Sequence, residues 1–404
     1  MSVTFADVAA ARDRLDDEDI VRHTPVEVSR SLSEMCGASV SLKMEHLQRT
    51  GSFKTRGAYN KLSRLAEQGC VGRVVAASAG NHAQGVALCA STLGIDSTIV
   101  MPEFAPQSKV DATRGYGADV VLHGADFREA MSHAQSLRAD DTAFVHAFDD
   151  PDIVAGHGSL GLEIAEDLPE VETVLVPIGG GGLVSGVGIA LSELLPETRL
   201  IGVQAEHAAT VHESLAKGAP QGIGAMRTFA DGIATGGVSE LTLELIDEHV
   251  DEVVTVSDGE IATAVLVLLE RAKQLVEGAG AAPVAALLAE AVDVDDETVV
   301  PVLTGGNFGM VELQTVLTHA LSARQQLVEL RIRIRDKPGE LHHLSGVIAE
   351  TGANVRTVRH DRAVEDLEVG EAYLTFTIET SGRGHTASII DAIREDGYPV
   401  TRRA

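Results

Sequence analysis

The chain has seven lysines against 25 arginines, and one of the seven, Lys54, is set in Gly51-Ser52-Phe53-Lys54-Thr55-Arg56-Gly57. A primary amine held among small residues just ahead of a helix can form a Schiff base with a carbonyl compound, and partial burial lowers its pKa towards the range where it accepts a proton. Taken alone, a lysine after Ser-Phe reads as a solvated side chain. Three later segments reverse that reading. Ser78-Ala79-Gly80-Asn81-His82 lies between a short apolar strand and a small-residue helix, where a tight loop aims backbone N–H groups at a carboxylate or a phosphate; a plain turn with an Asn-His cap is the rival. Pro177-Ile178-Gly179-Gly180-Gly181-Gly182-Leu183 follows another apolar strand. Four glycines in a row cost backbone entropy and suit a loop that must approach a phosphate closely, completed by a helix N-terminus. No Gly-Lys-Ser/Thr ends it and no acidic residue follows at dinucleotide spacing, so a phosphate-bearing cofactor other than a nucleotide fits. Thr304, in Thr304-Gly305-Gly306-Asn307, puts a hydroxyl at the carboxyl end of a strand, where open α/β sheets bind ligands; capping of the next helix is its other reading.

The elements that position these residues follow from hydrophobic spacing. A first amphipathic helix is predicted over 2–15, a strand over 39–43 and a helix over 55–66 behind the lysine. Strands at 73–77, 97–101, 119–122 and 142–147 alternate with helices at 83–92, 108–116 and 127–138, which means parallel pairing with right-handed crossovers and one small open sheet from about 46 to 147. Residues 152–167 then cross to a second sheet, with strands at 173–176, 199–204, 253–256 and 298–303 and helices at 184–194, 260–274 and from 276 to about 291.

At 404 residues the chain can bury a large core divided among two or three domains. The stretch 1–20 is acidic and amphipathic rather than a basic, apolar leader, and no run is long enough to span a membrane, so a soluble, cytoplasmic protein is expected. Cys36, Cys70 and Cys89 are odd in number and widely spaced, indicating neither a disulfide framework nor a zinc site. Glu206, His207 and His212 are metal-binding types but read as solvated loop side chains, so no metal is expected. The net charge of -28 argues against nucleic acid and anionic membranes as partners, and with the scarcity of lysine it suits a surface adapted to high salt.

Near residue 322 the pattern changes. A strand over 328–335, the turn Asp336-Lys337-Pro338-Gly339-Glu340-Leu341, a helix to 350, strands at 354–360 and 372–379, a helix at 386–395 and a strand at 398–402 make β-α-β-β-α-β. From 328 on there are 13 acidic and 11 basic residues, so nearly all of the net charge lies ahead of this tail. Domains are therefore expected at 1–322 and 328–404.

Ser52-Phe53-Lys54-Thr55-Arg56-Gly57-Ala58, Ser78-Ala79-Gly80-Asn81-His82, the four-glycine loop and Thr304-Gly305-Gly306-Asn307 occur in the order seen in threonine dehydratases, which the chain resembles over about residues 1–320. The resemblance implies a pyridoxal-phosphate enzyme of the tryptophan-synthase-β-like fold (fold type II), an α/β architecture of two open parallel-sheet domains. It implies that Lys54 carries pyridoxal 5'-phosphate as a Schiff base, Phe53 packs beside the ring, Asn81 bonds the ring hydroxyl, the amides of Gly179, Gly180, Gly181, Gly182 and Leu183 hold the phosphate, and Thr304, where Ser is more usual, faces the pyridine nitrogen. Ser78, Ala79, Gly80, Asn81 and His82 would bind the substrate amino acid. The tail resembles an ACT domain, an α+β module, which implies an amino-acid effector, isoleucine above others, and a homo-oligomer, dimer or tetramer. The implied reaction takes L-threonine, and L-serine with it, to a 2-oxo acid and ammonia in isoleucine biosynthesis. A serine or aspartate racemase, a hydroxyaspartate dehydratase and a non-catalytic amino-acid binder are the alternatives; a racemase needs a second base on the far face of the substrate, and the position that would supply it is Ala79.

Overall fold

The computed structural model describes residues 2–15, 20–69, 71–224 and 226–403. Cys70, Met1 and part of the expected N-terminal amphipathic stretch lie outside the described residues. The chain divides into two compact units, Met1–Phe308 and Gly309–Ala404. Sequence pattern places the boundary at 322–328; the structure places it earlier because the helix Met310–Ala323 packs against the first strand of the tail, Leu327–Arg335.

In the first unit a sheet of four parallel strands runs in the order Asp119–Leu122, Asp96–Met101, Arg73–Ala77, Thr142–Phe144. Its inner strands, Arg73–Ala77 and Asp96–Met101, are short and apolar because both faces are covered, while the edge strand Asp119–Leu122 stays partly exposed. Val74, Ala76, Ile99 and Met101 share a core with Leu62, Val86 and Cys89 of the helices Lys54–Gln68 and Asn81–Leu93, while Val75, Val100 and Phe144 meet Ala130 and Ala134 on the other side. Cys89 is fully buried there as a free thiol, and burial pushes its pKa up.

The second sheet of the unit has six strands, in the order Val26–Val28, Ser39–Lys43, Thr298–Pro301, Thr173–Pro177, Arg199–Ala205, Glu252–Val256. Five are parallel; Val26–Val28 pairs antiparallel with Ser39–Lys43, a departure from the all-parallel expectation. That strand follows His23-Thr24-Pro25, read from sequence only as a break, and three residues are too few for a periodicity to show. The hydrophobic spacing likewise does not predict the helices Arg30–Cys36, Val211–Lys217 and Glu240–His249. The helix predicted over 260–274 is α-helical only from Asp258 to Val267; a π-helical turn, Leu268–Ala272, and Lys273 in the left-handed region at φ 60° end it. Such turns cluster where a helix must re-aim the chain at a site, and Gln274, next in line, bonds His46 Nε2 at 2.9 Å.

The second unit carries an antiparallel sheet, Asn354–Asp361, Glu371–Glu379, Leu327–Arg335, Val400–Arg403. With the helices Glu340–Glu350 and Arg383–Glu395 it has the β-α-β-β-α-β order read from the sequence. Alternation in Leu327–Arg335 sends Leu330, Ile332 and Ile334 into a core with Leu344, Ile348, Ile389 and Ile393, and turns Arg331 and Arg333 to the other face, where the Arg331 guanidinium lies 3.5 Å from the centre of the Tyr373 ring. Among the described residues no helix is long and apolar enough to cross a membrane.

Candidate active site

Lys54 opens the helix Lys54–Gln68, and the chain reaches it through Gly51, left-handed at φ 75°. The residues ahead of it are tied to the loop after Thr298–Pro301. Phe53 N–H donates to Thr304 O at 3.2 Å, Gly306 N–H donates to Gly51 O at 2.9 Å, and Ser52 bridges Gly305. Thr304, itself buried, is thus fixed beside the lysine by backbone bonds rather than by its side chain.

The Lys54 Nζ donates to Ala147 O at 3.0 Å and lies 4.9 Å from the centre of the Phe53 ring. Its side chain keeps some exposed area but is crowded on all sides, and that desolvation lowers its pKa to about 8 with no carboxylate to offset it. The groups around it are neutral imidazoles. His82 Nε2 donates to Val145 O at 3.1 Å, and burial followed by the nearby Lys54 ammonium lowers its pKa to about 3. His157, stacked edge-on against Phe53 at 4.8 Å, is shifted well down for the same two reasons. His146 is also lowered, by burial first, although Asp149 works the other way, and its Nδ1 accepts the Asp149 N–H at 2.8 Å.

Two residues beyond Lys54, Arg56 is buried in a cage of opposite charge. Its guanidinium donates to Glu45 Oε2 at 2.7 Å and Oε1 at 2.8 Å, to Glu163 Oε1 at 2.6 Å and Oε2 at 2.9 Å, and to Ser159 Oγ at 3.0 Å. Lys43 Nζ, also buried, lies 2.8 Å from Glu163 Oε2 and 3.0 Å from Asp167 Oδ2. This network joins the strand Ser39–Lys43, the lysine-bearing helix and the helix Pro151–Asp167, so it sets where the helix begins.

The four-glycine loop meets the same place from the other sheet. Gly181, at φ 88°, is the N-cap of the helix Gly182–Leu194, and no side chain caps that helix, so its first N–H groups are left for a ligand. A Cβ on Gly180 would sit 2.2 Å from the Phe148 ring, so only glycine fits there. Phe148 adjoins Ala147, the acceptor for Lys54; one short segment therefore touches both the loop and the lysine. Leu183 is buried in the apolar cluster against which Phe53 packs.

Asn81 heads its helix, and Ser78 Oγ accepts the Gly80 N–H at 3.1 Å in the loop before it. Asn81 Nδ2 donates to Glu277 Oε1 at 2.6 Å, and its Oδ1 accepts from Asn307 Nδ2 at 2.7 Å. The structure thus gathers Phe53, Lys54, Asn81 and Thr304 around one point and links the glycine loop to it through Phe148. The local sequence pattern does not by itself mark Glu277, Phe148 or His157 as part of this site. A carboxylate followed by Gly-Ala-Gly was the available signal for Glu277, but its partner lies 196 residues away.

The buried hydroxyls of Thr50, Ser52 and Thr55 and both ring nitrogens of His157 have no hydrogen-bond partner, a concentration of unpaired polar atoms flanking the lysine. With a desolvated amine and an uncapped helix N-terminus, this set fits a carbonyl cofactor bearing a phosphate. A recess at the edge strand Val26–Val28, lined by His23, Pro25, Ser41 and Asp167 among others, shares no residue with it. Among the described residues no group of three or more His, Cys, Asp or Glu is arranged to hold a metal ion.

Comparison with known proteins leads to the same chemistry. A family model described as pyridoxal-phosphate dependent enzyme matches residues 18–305. An L-threonine ammonia-lyase of Thermotoga maritima is 44% identical over 399 residues, 98% of this chain and 99% of the relative. Among solved structures, the processed form of threonine deaminase isoform 2 from Solanum lycopersicum matches with a TM-score of 0.74 at 36% identity, covering 78% of this chain and 93% of that one. Maize serine racemase matches with a TM-score of 0.73 at 30% identity, covering 80% and 100%. The chain belongs to the pyridoxal-phosphate dependent enzyme family, with the fold-type II architecture and pyridoxal phosphate as its cofactor.

Proposed function

We propose that this chain is an L-threonine ammonia-lyase, which removes the Cα proton and the β-hydroxyl as water and, after hydrolysis by one water, releases 2-oxobutanoate and ammonia; L-serine gives pyruvate by the same route. The observation that carries the reading is the Lys54 amine, lowered to about 8 by desolvation among neutral imidazoles. Near neutral pH an appreciable fraction of it is free to act as nucleophile and base. Lys54 is the group that holds the cofactor and takes the Cα proton. Pyridoxal phosphate, when bound, supplies the electron sink for that proton's departure. The loop Ser78, Ala79, Gly80, Asn81 and His82 would receive the substrate carboxylate, chiefly at the Ala79, Asn81 and His82 N–H groups because the Ser78 and Gly80 N–H groups already donate to Val100 O and Ser78 Oγ. The N–H groups of Gly179 to Leu183 would hold the phosphate, and Thr304 would give the ring nitrogen a neutral partner. A neutral hydroxyl at Thr304 would place no negative charge opposite that nitrogen. Ala79 has no proton to deliver from the opposite face, which argues against racemisation. The test is a substrate panel of L-threonine, L-serine and 3-hydroxyaspartate, with chiral analysis of the residual amino acid. Threonine is expected to turn over fastest without D-amino acid accumulating. Accumulation of a D-isomer as fast as ammonia appears overturns the reading.

The tail is proposed as an ACT domain that tunes the enzyme by binding a hydrophobic amino acid, isoleucine first, between two copies in a cytoplasmic homo-oligomer serving isoleucine biosynthesis. Gly339, at φ 101°, heads the helix Glu340–Glu350 without a side-chain cap, leaving N–H groups that suit a carboxylate. The Thermotoga relative aligns through this tail as well as the catalytic unit. An effector must bind two states unequally, with couplings of about 1 to 3 kcal/mol. Calorimetry with isoleucine and with valine, and threonine saturation curves with each, decide it. No binding heat together with superimposable curves refutes regulation.

A further inference from the structure

We infer that Glu277 and Asn307 are positioning residues that lock the polarity of the Asn81 amide, so that Asn81 presents an N–H rather than its carbonyl to the bound cofactor. The inference rests on the reading that Asn81 faces the cofactor ring. Asparagine oxygen and nitrogen are alike in shape, and which way such an amide points is decided by its partners. Here both ends of the chain of bonds have a single polarity. Asn307 Nδ2 lies 2.7 Å from the main-chain oxygen of Thr50, which can only accept, so the Asn307 atom there is the nitrogen. The same nitrogen lies 2.7 Å from Asn81, so the Asn81 atom facing it is the oxygen. The remaining Asn81 atom is the nitrogen, and it meets the Glu277 carboxylate at 2.6 Å. Reversing the Asn81 amide would set oxygen against carboxylate and NH2 against NH2. One N–H of Asn81 is spent on Glu277, and the same nitrogen carries a second.

The fold goes out of its way to deliver Glu277. The residue is the N-cap of the helix Gly278–Leu288 but makes no capping bond, and its carboxylate turns to Asn81 instead. Its own N–H donates to Gly305 O at 2.9 Å, and a Cβ on Gly305 would lie 2.2 Å from its Oε1, so the carboxylate is pressed against the loop that holds Thr304. The π-helical turn and left-handed Lys273 redirect the chain immediately before it. An N–H donor aimed at a ring hydroxyl would favour the ionised oxygen; the Asn307 N–H on the Asn81 oxygen polarises the amide towards donation, and the Glu277 carboxylate fixes its orientation by accepting the other N–H.

The test uses the holoenzyme and reads the visible absorption band of the bound cofactor, the pH midpoint of that band and the cofactor dissociation constant. E277A is expected to weaken cofactor binding about tenfold, as for a lost charge-assisted bond, and to shift the pH midpoint of the band. E277Q, whose amide oxygen can still accept from Asn81, is expected to restore most of both. N307D, which turns a carboxylate towards the Asn81 oxygen, is expected to shift the band further than either, and it carries the test if E277A does not fold. A parental band, midpoint and affinity in E277A or in N307D, whatever the melting temperature, overturns the inference and leaves a structural role. A parental band and affinity in N81A instead overturns the reading that Asn81 touches the cofactor.

Discussion

Lys54 and Arg56 are cations two residues apart on one helix, both withdrawn from water, and their surroundings are opposite. Arg56 is enclosed by Glu45 and Glu163; burial alone would lower its pKa, yet the two carboxylates outweigh burial and push it up. Lys54 is enclosed by imidazoles that burial keeps neutral, and nothing offsets its desolvation. Burying a charge is costly unless it is paired. Here one cation is paired so that the helix stays put, and its neighbour is left unpaired so that its proton is loosely held. The lowered pKa of Lys54, on which its proposed reactivity rests, comes from burial in the absence of a paired carboxylate.

The contrast can be broken most severely at the unpaired cation. Lys54→Ala removes base and nucleophile together, and L-threonine deamination is expected to fall on the order of 10⁴-fold or more with the circular dichroism spectrum retained. Next is the paired cation: Arg56→Met leaves Glu45 buried without a cation and Glu163 held by Lys43 and Arg12, and is expected to cost about 3–5 kcal/mol in urea unfolding. That change also has a pH signature. Burial alone would raise the Glu163 carboxyl, but Arg56 and Lys43 hold it below its usual range. A depressed carboxyl stabilises fully above its unfolded value and stops doing so as pH falls through its folded one, so the acid-unfolding midpoint of R56M is expected at higher pH than that of the parent. A smaller effect sharpens the comparison. The rate at which apoenzyme takes up pyridoxal phosphate should rise with pH about a midpoint near 8, set by the Lys54 amine, and His146→Asp, which gives the lysine a carboxylate neighbour, should move that midpoint up by about one unit. The smallest effect lies in the tail, where Arg362→Ala opens the exposed pair with Asp336, and the melting temperature is expected to stay at the parental value.

Much of this architecture is legible in the amino-acid order because buried parallel strands are apolar runs with glycine-rich or polar turns between them. The strands Ser39–Lys43, Arg73–Ala77 and Asp119–Leu122 fall where the pattern puts them, residue for residue. Lys54 and the four glycines are visible because their types are unusual for their places. The cage is not, since Glu45, Arg56 and Glu163 look like surface charges until three elements converge. Nor is Glu277 visible as a partner of Asn81, because a contact across 196 residues leaves no local periodicity. The helix Met310–Ala323 escaped because the sheet before it and the alternating strand after it drew the boundary past it.

The strand Thr298–Pro301 lies in the interior of its sheet, between Ser39–Lys43 and Thr173–Pro177, and the loop after it holds Thr304 against the lysine segment. A ribosome makes that strand long after both of its neighbours. Until it emerges, the growing chain carries two facing strand edges with open hydrogen bonds and a lysine whose backbone anchors do not yet exist. With Lys54 as the proposed cofactor-holding residue, capture would wait until about residue 307 has been made. Chains released before about residue 307 would be inactive and, with interior edges uncovered, prone to pair with one another.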